Sequence, residues 1–185
     1  MSRRRSCLPG LLFLLILSCS FAALEWHEHF YFLQDDNRDH FLPFFARALE
    51  TLRHGEIGQV DYYLSLGLPL LSNGLSSVLS PLPYGALVAS ERAFGHPFAG
   101  IDVLVFVYFL IGGFGFIYLA RQMNLSSGAA IFAASAWCLL PFNVYVSASW
   151  VSFAPLVAFL PWMVGLLLAG FSRGWFEIAI LQSGL

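Results

Sequence analysis

The sequence predicts an all-α membrane protein that crosses the bilayer four times, and three observations lead there. Of its 185 residues, 58% are hydrophobic and only 11% are charged, against roughly 25% charged in an ordinary soluble domain. Mean hydropathy is +0.73. The few charges are also gathered into short clusters separated by long apolar stretches. Nine arginines, no lysine and 11 acidic residues cannot cover a soluble surface. The 31 aromatics exclude a disordered chain, and a net charge of −2 without a basic patch excludes a nucleic-acid binder. The odd trio Cys7, Cys19 and Cys138, all in apolar surroundings, makes no disulfide framework.

Each span follows from where charge is missing. Residues 122–172 contain no Asp, Glu, Lys, Arg or His. As one helix these 51 residues would reach about 77 Å, whereas a bilayer core is about 30 Å thick. The stretch must therefore fold back, which places spans near 129–147 and 153–171 with a turn in Val146–Ser152. Trp150 in that turn fits an interfacial anchor. Upstream, residues 102–120 form another span, closed by Arg121 and interrupted by Gly112, Gly113 and Gly115. Small residues in a membrane helix let a neighbouring helix approach closely. The first span, about 7–24, follows Arg3-Arg4-Arg5. It reads as an uncleaved span, the alternative being a signal peptide cleaved after Ser20-Phe21-Ala22.

Arginine placement orients the chain. With the N-terminus in the cytoplasm, Arg3–Arg5, Arg121 and Arg173 all fall on the cytoplasmic side, and residues 25–101 form one outer loop. The apolar segment Ser77–Ser90 threatens this count, but 14 residues carrying Pro81 and Pro83 suit an interfacial helix better than a span. Residues 175–185 begin a further apolar stretch, so the expectation is a single membrane domain over 1–185 that is the N-terminal fragment of a longer polytopic protein.

The outer loop holds most of the titratable groups. Phe41, Phe44, Phe45, Ala48, Leu49 and Leu52 recur at helical spacing. This predicts an amphipathic, membrane-parallel helix over 39–54 with Asp39 as N-cap, Pro43 in the first turn and Gly55 as a left-handed stop. Asp35, Asp36 and Asp39 gather at its start. They can be read as capping and solvated acids, or as a carboxylate group just above the membrane that accepts a proton from a hydroxyl or holds a divalent cation. His27 and His29 with Glu25 and Glu28 fit no zinc spacing and read as a juxtamembrane polar ring.

Several ordered features resemble one family. They are Asp36 seven residues before Pro43-Phe44, a helix ending at Gly55-Glu56, the loop Tyr63-Leu64-Ser65-Leu66-Gly67-Leu68-Pro69-Leu70-Leu71, Ser80-Pro81, the connection Ala120–Ser126, and Pro161-Trp162. Together they resemble the bacterial membrane protein YfhO family, itself similar to the C-type membrane glycosyltransferases. The resemblance covers about residues 25–170. The chain departs from it at Asp61-Tyr62-Tyr63, where members often carry Trp, and in its small number of spans. What the resemblance implies is an inverting transferase of the bacterial inner membrane. It would move a sugar from a polyprenyl-phosphate donor to an envelope glycan or glycolipid acceptor on the outer face, with membrane lipid as its surroundings and no nucleic-acid partner. Asp36 takes the family's acidic position, with Asp35 beside it as the second catalytic candidate. Arg38 and Arg92 are the candidates for the lipid phosphate, and Asp36 with Asp39 for a divalent metal, the one cofactor implied. The competing reading is a non-catalytic polytopic protein, such as a transporter piece or assembly subunit. Transporters place ionisable groups midway along their spans, and here the spans hold none beyond Asp102 at an end.

Overall fold

The computed structural model describes residues 8–56, 60–61, 68–69 and 80–172. Arg3–Arg5, the segment 175–185 and most of the 63–71 motif lie outside the described residues. Among those described, the chain is helical apart from one two-residue antiparallel pair, β1 (Val60–Asp61) with β2 (Leu68–Pro69), in which Val60 faces Pro69 and Asp61 faces Leu68. The helices are α1 (Leu8–His27), α2 (Leu42–Arg53), α3 (Pro81–Phe94), α4 (Gly100–Gln122), α5 (Ser127–Cys138), α6 (Pro141–Ser149) and α7 (Ala154–Ser172). A π-helical turn (Asn37–Phe41) precedes α2, and a 3₁₀ turn (Val151–Phe153) precedes α7. Four segments are long and apolar enough to cross a membrane: Leu8–His27, Gly100–Gln122, Ser127–Ser149 and Val151–Phe171. The chain is a multi-pass membrane protein of the all-α class.

The spans fall within three residues of where charge depletion puts them, apart from their junction. The turn expected across 146–152 is tighter, because α6 runs to Ser149 and Trp150 alone separates it from the 3₁₀ turn. The third span is also two helices rather than one. Pro141 has no N–H to give the Trp137 carbonyl four residues back, and α5 gives way to α6 there.

The described residues form two compact units. The first comprises α1 up to Ala22, residues 108–143 and the chain from Pro155 onward. Here the glycines of α4 do what their spacing suggests. A Cβ on Gly113 would fall inside the fully buried Phe13 ring of α1. A Cβ on Gly112 would meet the Val157 carbonyl oxygen of α7 at 2.6 Å, and one on Gly115 would meet the Trp162 indole at 2.6 Å. Phe13, Leu17 and Phe21 recur every four residues and are buried, while Leu11, Leu15, Leu166 and Phe171 are exposed apolar groups of the kind lipid covers. Two polar side chains in this unit are spent on carbonyls that proline leaves unpaired. The Asn143 amide donates to the Trp137 carbonyl at 2.7 Å, the one freed by Pro141. The Trp137 indole donates to the Val157 carbonyl at 2.9 Å, the one freed by Pro161 inside α7. Such replacement partners are what make proline tolerable in a membrane helix.

The second unit comprises residues 23–107 and 144–154. The stripe Phe41, Phe44, Phe45, Ala48 and Leu49 of α2 is buried. Arg53 at its end pairs with Glu91 of α3. Gly55 follows in the left-handed region, at φ 77°. The residues that start α2 differ from expectation. Asp39 is not its N-cap but sits within the π turn, and Pro43 falls in the first turn of α2 proper. The Leu42 N–H reaches back to the Asn37 carbonyl, five residues away, so the register shifts just before the residue that cannot donate. α3 begins with Pro81, ends at a left-handed Gly95 (φ 77°) and has 14 residues, which is about 21 Å of helix and short of a bilayer core.

Candidate functional site

The polar centre of the second unit is a residue between the acids rather than an acid. Asn37 is fully buried. Its Nδ2 donates to the carbonyls of Phe32 at 2.8 Å, Ser147 at 2.7 Å and Ala148 at 2.9 Å. Its Oδ1 accepts the Val151 N–H at 2.6 Å. The last carbonyls of a helix and the first amides of the next have no partners of their own. One side chain therefore caps the end of α6 and the start of the following turn together, and holds the Phe32–Asn37 segment against both. The Gln34 N–H adds a bond to the Ala148 carbonyl at 3.3 Å.

This clamp bears on topology. Asn37 precedes α3, and Ser147–Val151 is the junction of the last two spans. Residues in hydrogen-bonding contact outside the bilayer core lie on one side of the membrane. The Phe32 N–H likewise donates to Asp102 Oδ1 at 2.7 Å, joining the end of the first span to the start of the second. A crossing by α3 would separate both pairs, so α3 stays on the side of the residues that flank it.

On this clamped segment stand the sequence candidates. Asp35 is held in the left-handed region at φ 42°, which costs a branched-at-Cγ residue about 1 kcal/mol or more. The Ser149 hydroxyl donates to its Oδ2 at 2.8 Å. Asp36 follows, exposed, and its carboxylate makes no capping bond. Arg38 and Asp39 form an exposed ion pair at 2.9 Å. The guanidinium holds the Asp39 carboxyl below its ordinary range, and Asp39, with a smaller contribution from Asp35, raises that of Arg38. His40 stacks on Phe44 at 6.2 Å. The structure thus brings Asp35, Asp36, Arg38 and Asp39 into one turn. Arg92 stands exposed on α3 beside Glu91, and no ion pair joins it to the loop acids among the described residues.

Among the described residues no three His, Cys, Asp or Glu side chains converge on a point that could hold a metal ion, and the Asp39 carboxylate already faces a cation. The His27/His29 group makes no such cluster either; His29 Nδ1 bonds the Glu25 carbonyl at 3.0 Å.

Three residues of this region were not legible as site residues. Asn37 carries no mark in sequence beyond being an amide flanked by acids. Ser149 is one of several serines near a turn. Asp102 is visible only as a charge at a span end, yet it is 7% exposed and carries the Phe32 amide.

No family model matches the chain, and no curated protein or solved structure matches it either. The class that fold and site define is a multi-pass membrane protein with an acidic turn hydrogen-bonded to the junction of its last two spans.

Proposed function

We propose that the chain is a C-type membrane glycosyltransferase, moving a sugar from a polyprenyl-phosphate donor to a cell-envelope acceptor at the outer face of the bacterial inner membrane, with its N-terminus cytoplasmic. One observation carries the reading. Asp35 and Asp36 stand on a segment pinned by the buried Asn37, in a backbone that is strained at Asp35 and π-helical immediately after Asp36. Strained and π-helical backbone held by its surroundings is a recurrent property of functional sites, and it is more than a solvated capping acid requires. The YfhO resemblance, which places an acid at position 36, supports the same residue.

In this reading the Asp36 carboxylate takes the proton of the acceptor hydroxyl as that oxygen attacks the anomeric carbon. The bond from that carbon to the phosphate oxygen breaks, and the electron pair leaves on the lipid phosphate. Arg38 offsets the charge that develops there. Asp35, oriented by Ser149, holds the turn. A transporter reading finds less support, since the buried carboxylate of the spans, Asp102, is the third residue of α4 and not a midpoint group.

The test is sugar transfer from a polyprenyl-phosphate donor in membranes carrying the protein. Asp36→Asn keeps shape and removes the base, and it should cost about 10²–10⁴-fold in rate at unchanged expression. Near-normal transfer with Asp36→Asn, but none with Asp35→Asn, would move the base one residue back. Normal transfer in both variants would leave the acids as capping groups and end the catalytic reading.

A further inference from the structure

Two segments far apart in sequence run side by side at the acidic turn. The Gln34 N–H donates to the Ala148 carbonyl, the Ser149 hydroxyl to Asp35 Oδ2 and the Val151 N–H to Asn37 Oδ1. All three pairs share one separation, 114 residues, so segments 34–37 and 148–151 keep a common register. One rung of that register carries no bond among the described residues, Asp36 opposite Trp150. Both residues of this rung are exposed, Trp150 to 56%. A carboxylate and an indole thus stand together at the surface, each fixed by bonded neighbours before and after it.

Two other tryptophans show how this one differs. Trp137 donates its N–H to the Val157 carbonyl and packs its ring on Phe116, and Trp162 donates to the Ile111 carbonyl and stacks on Tyr118. The Trp150 side chain makes no hydrogen bond and no ring contact among the described residues. Its backbone, in contrast, is complete: its N–H reaches the Val146 carbonyl and its own carbonyl accepts the Phe153 N–H. An interfacial anchor needs only that the indole sit at head-group depth, and the exposed Trp26 at the end of α1 meets that need too. It has no use for a carboxylate held opposite in a fixed register. A sugar ring uses both groups. Its C–H face packs on the electron-rich face of an indole, and its hydroxyls donate to a carboxylate, which is acceptor-only when ionised. Trp150 is also the single residue between α6 and the 3₁₀ turn that opens the last span. A ring lying on it therefore sits at the membrane edge, where lipids present their sugars.

We infer that Trp150 is the platform for the acceptor: the sugar ring of a membrane glycolipid lies on its indole and turns one hydroxyl toward Asp36. The inference rests on the transferase reading of the acidic turn and deepens it by naming the acceptor class. Trp150 positions the ring and takes no part in the bond changes. The hydroxyl gives its proton to Asp36, its oxygen bonds the anomeric carbon of the donor, and the lipid phosphate leaves with the electron pair.

The experiment uses the full chain in two arms. Binding is read without donor, by indole fluorescence in vesicles with and without monohexosyl diacylglycerols bearing glucose, galactose or mannose. The wild type should give a saturable spectral change with at least one of the three. That change should be lost in Trp150→Leu and kept in Trp26→Leu. Transfer is then read with the same lipids as acceptors and a polyprenyl-phosphate sugar as donor. Trp150→Leu should raise the acceptor KM about tenfold and leave the donor KM and the thermal midpoint unchanged. Trp150→Tyr keeps an aromatic face and should recover most of the loss. No spectral change in the wild type, or an equal loss in both leucine variants, overturns the inference, because the indole then reports head-group depth only. A rise in donor and acceptor KM together overturns it as well, since an anchor would act on both. A response to methyl hexosides in solution, with none to the lipids, overturns the glycolipid class. Binding that depends on Trp150 without any transfer ends the transferase reading and leaves the sugar platform standing.

Discussion

The two units solve the same problem by opposite means. In the unit built on the middle of α4, helices meet through missing side chains: Gly112, Gly113 and Gly115 let α1 and α7 come within contact of the α4 backbone. Its polar atoms are few, and two of them satisfy carbonyls that Pro141 and Pro161 strand. In the unit around the acidic turn, segments meet through side chains that reach far away in sequence: Asn37 and Asp102 hold main-chain groups, and Ser149 holds the Asp35 carboxylate. Lipid-facing helices satisfy their own backbone, so their contacts can be shape alone. Helix ends and irregular turns leave backbone groups open, so their contacts must be polar and complete. Damage should then be severe and localised at the polar junction, and graded by size at the glycine contacts.

The largest effect is expected at Asn37. Asn37→Leu is close in volume but takes a donor from the carbonyls of Phe32, Ser147 and Ala148, of which Ala148 keeps the Gln34 N–H, and the acceptor from the Val151 amide, in a fully buried place. At about 1–3 kcal/mol per orphaned group, with partial relaxation, a loss of about 3–5 kcal/mol follows. Thermal unfolding in detergent reads it. Asn37→Leu with wild-type stability would mean that the junction holds by other contacts, and the comparison between units would fail.

Glycine contacts come next. Gly112→Ala sets a methyl against a main-chain oxygen at 2.6 Å, and neither helix backbone can yield as a side-chain tip does. A cost of about 1–3 kcal/mol is expected, rising in Gly112→Val. Gly128, whose Cβ would meet nothing within 4 Å, is the control, and Gly128→Ala should be neutral or slightly stabilising. Equal losses at 112 and 128 would show that glycine matters here through backbone freedom and not through close approach.

This contrast also explains what sequence could and could not reveal. The spans were legible because exclusion of charge from a bilayer is a one-dimensional rule, written directly along residues 102–172. The glycine trio was legible for the same reason, since helix packing in lipid has a local signature. The stop at Gly55 and the apolar stripe of α2 were legible through period and turn chemistry. Asp39 as N-cap was a local inference that a distant contact overrode. The buried partner of Asn37 fixes the chain two residues earlier, and Pro43 then sets the register of α2. Asn37 meets Ser147 and Ala148 110 and 111 residues away, and Asp102 meets Phe32 70 residues away. No spacing within a segment encodes such pairs. The acids at 35, 36 and 39 were visible as a cluster, but the bonds that Asn37 and Ser149 make around them were not.

The smallest effect isolates the proline-rescue device. Trp137→Phe removes the indole N–H from the Val157 carbonyl while keeping an aromatic ring beside Phe116, whose centroid lies 5.4 Å away. A lost hydrogen bond between membrane helices costs about 0.6 kcal/mol on average, and about 0.5–1.5 kcal/mol is the wider range. The question is whether that bond matters because Pro161 leaves Val157 unpaired. In Pro161→Ala the residue at 161 regains an N–H, and the carbonyl four residues back becomes part of an ordinary helical ladder. The indole is then redundant, so Trp137→Phe should cost distinctly less in the Pro161→Ala background than in the wild type. The coupling energy of that double-mutant cycle is the measured quantity, and it should take up most of the single-variant loss. Equal costs in the two backgrounds would show that Trp137 contributes through ring packing, and that the freed carbonyl of α7 is satisfied without it.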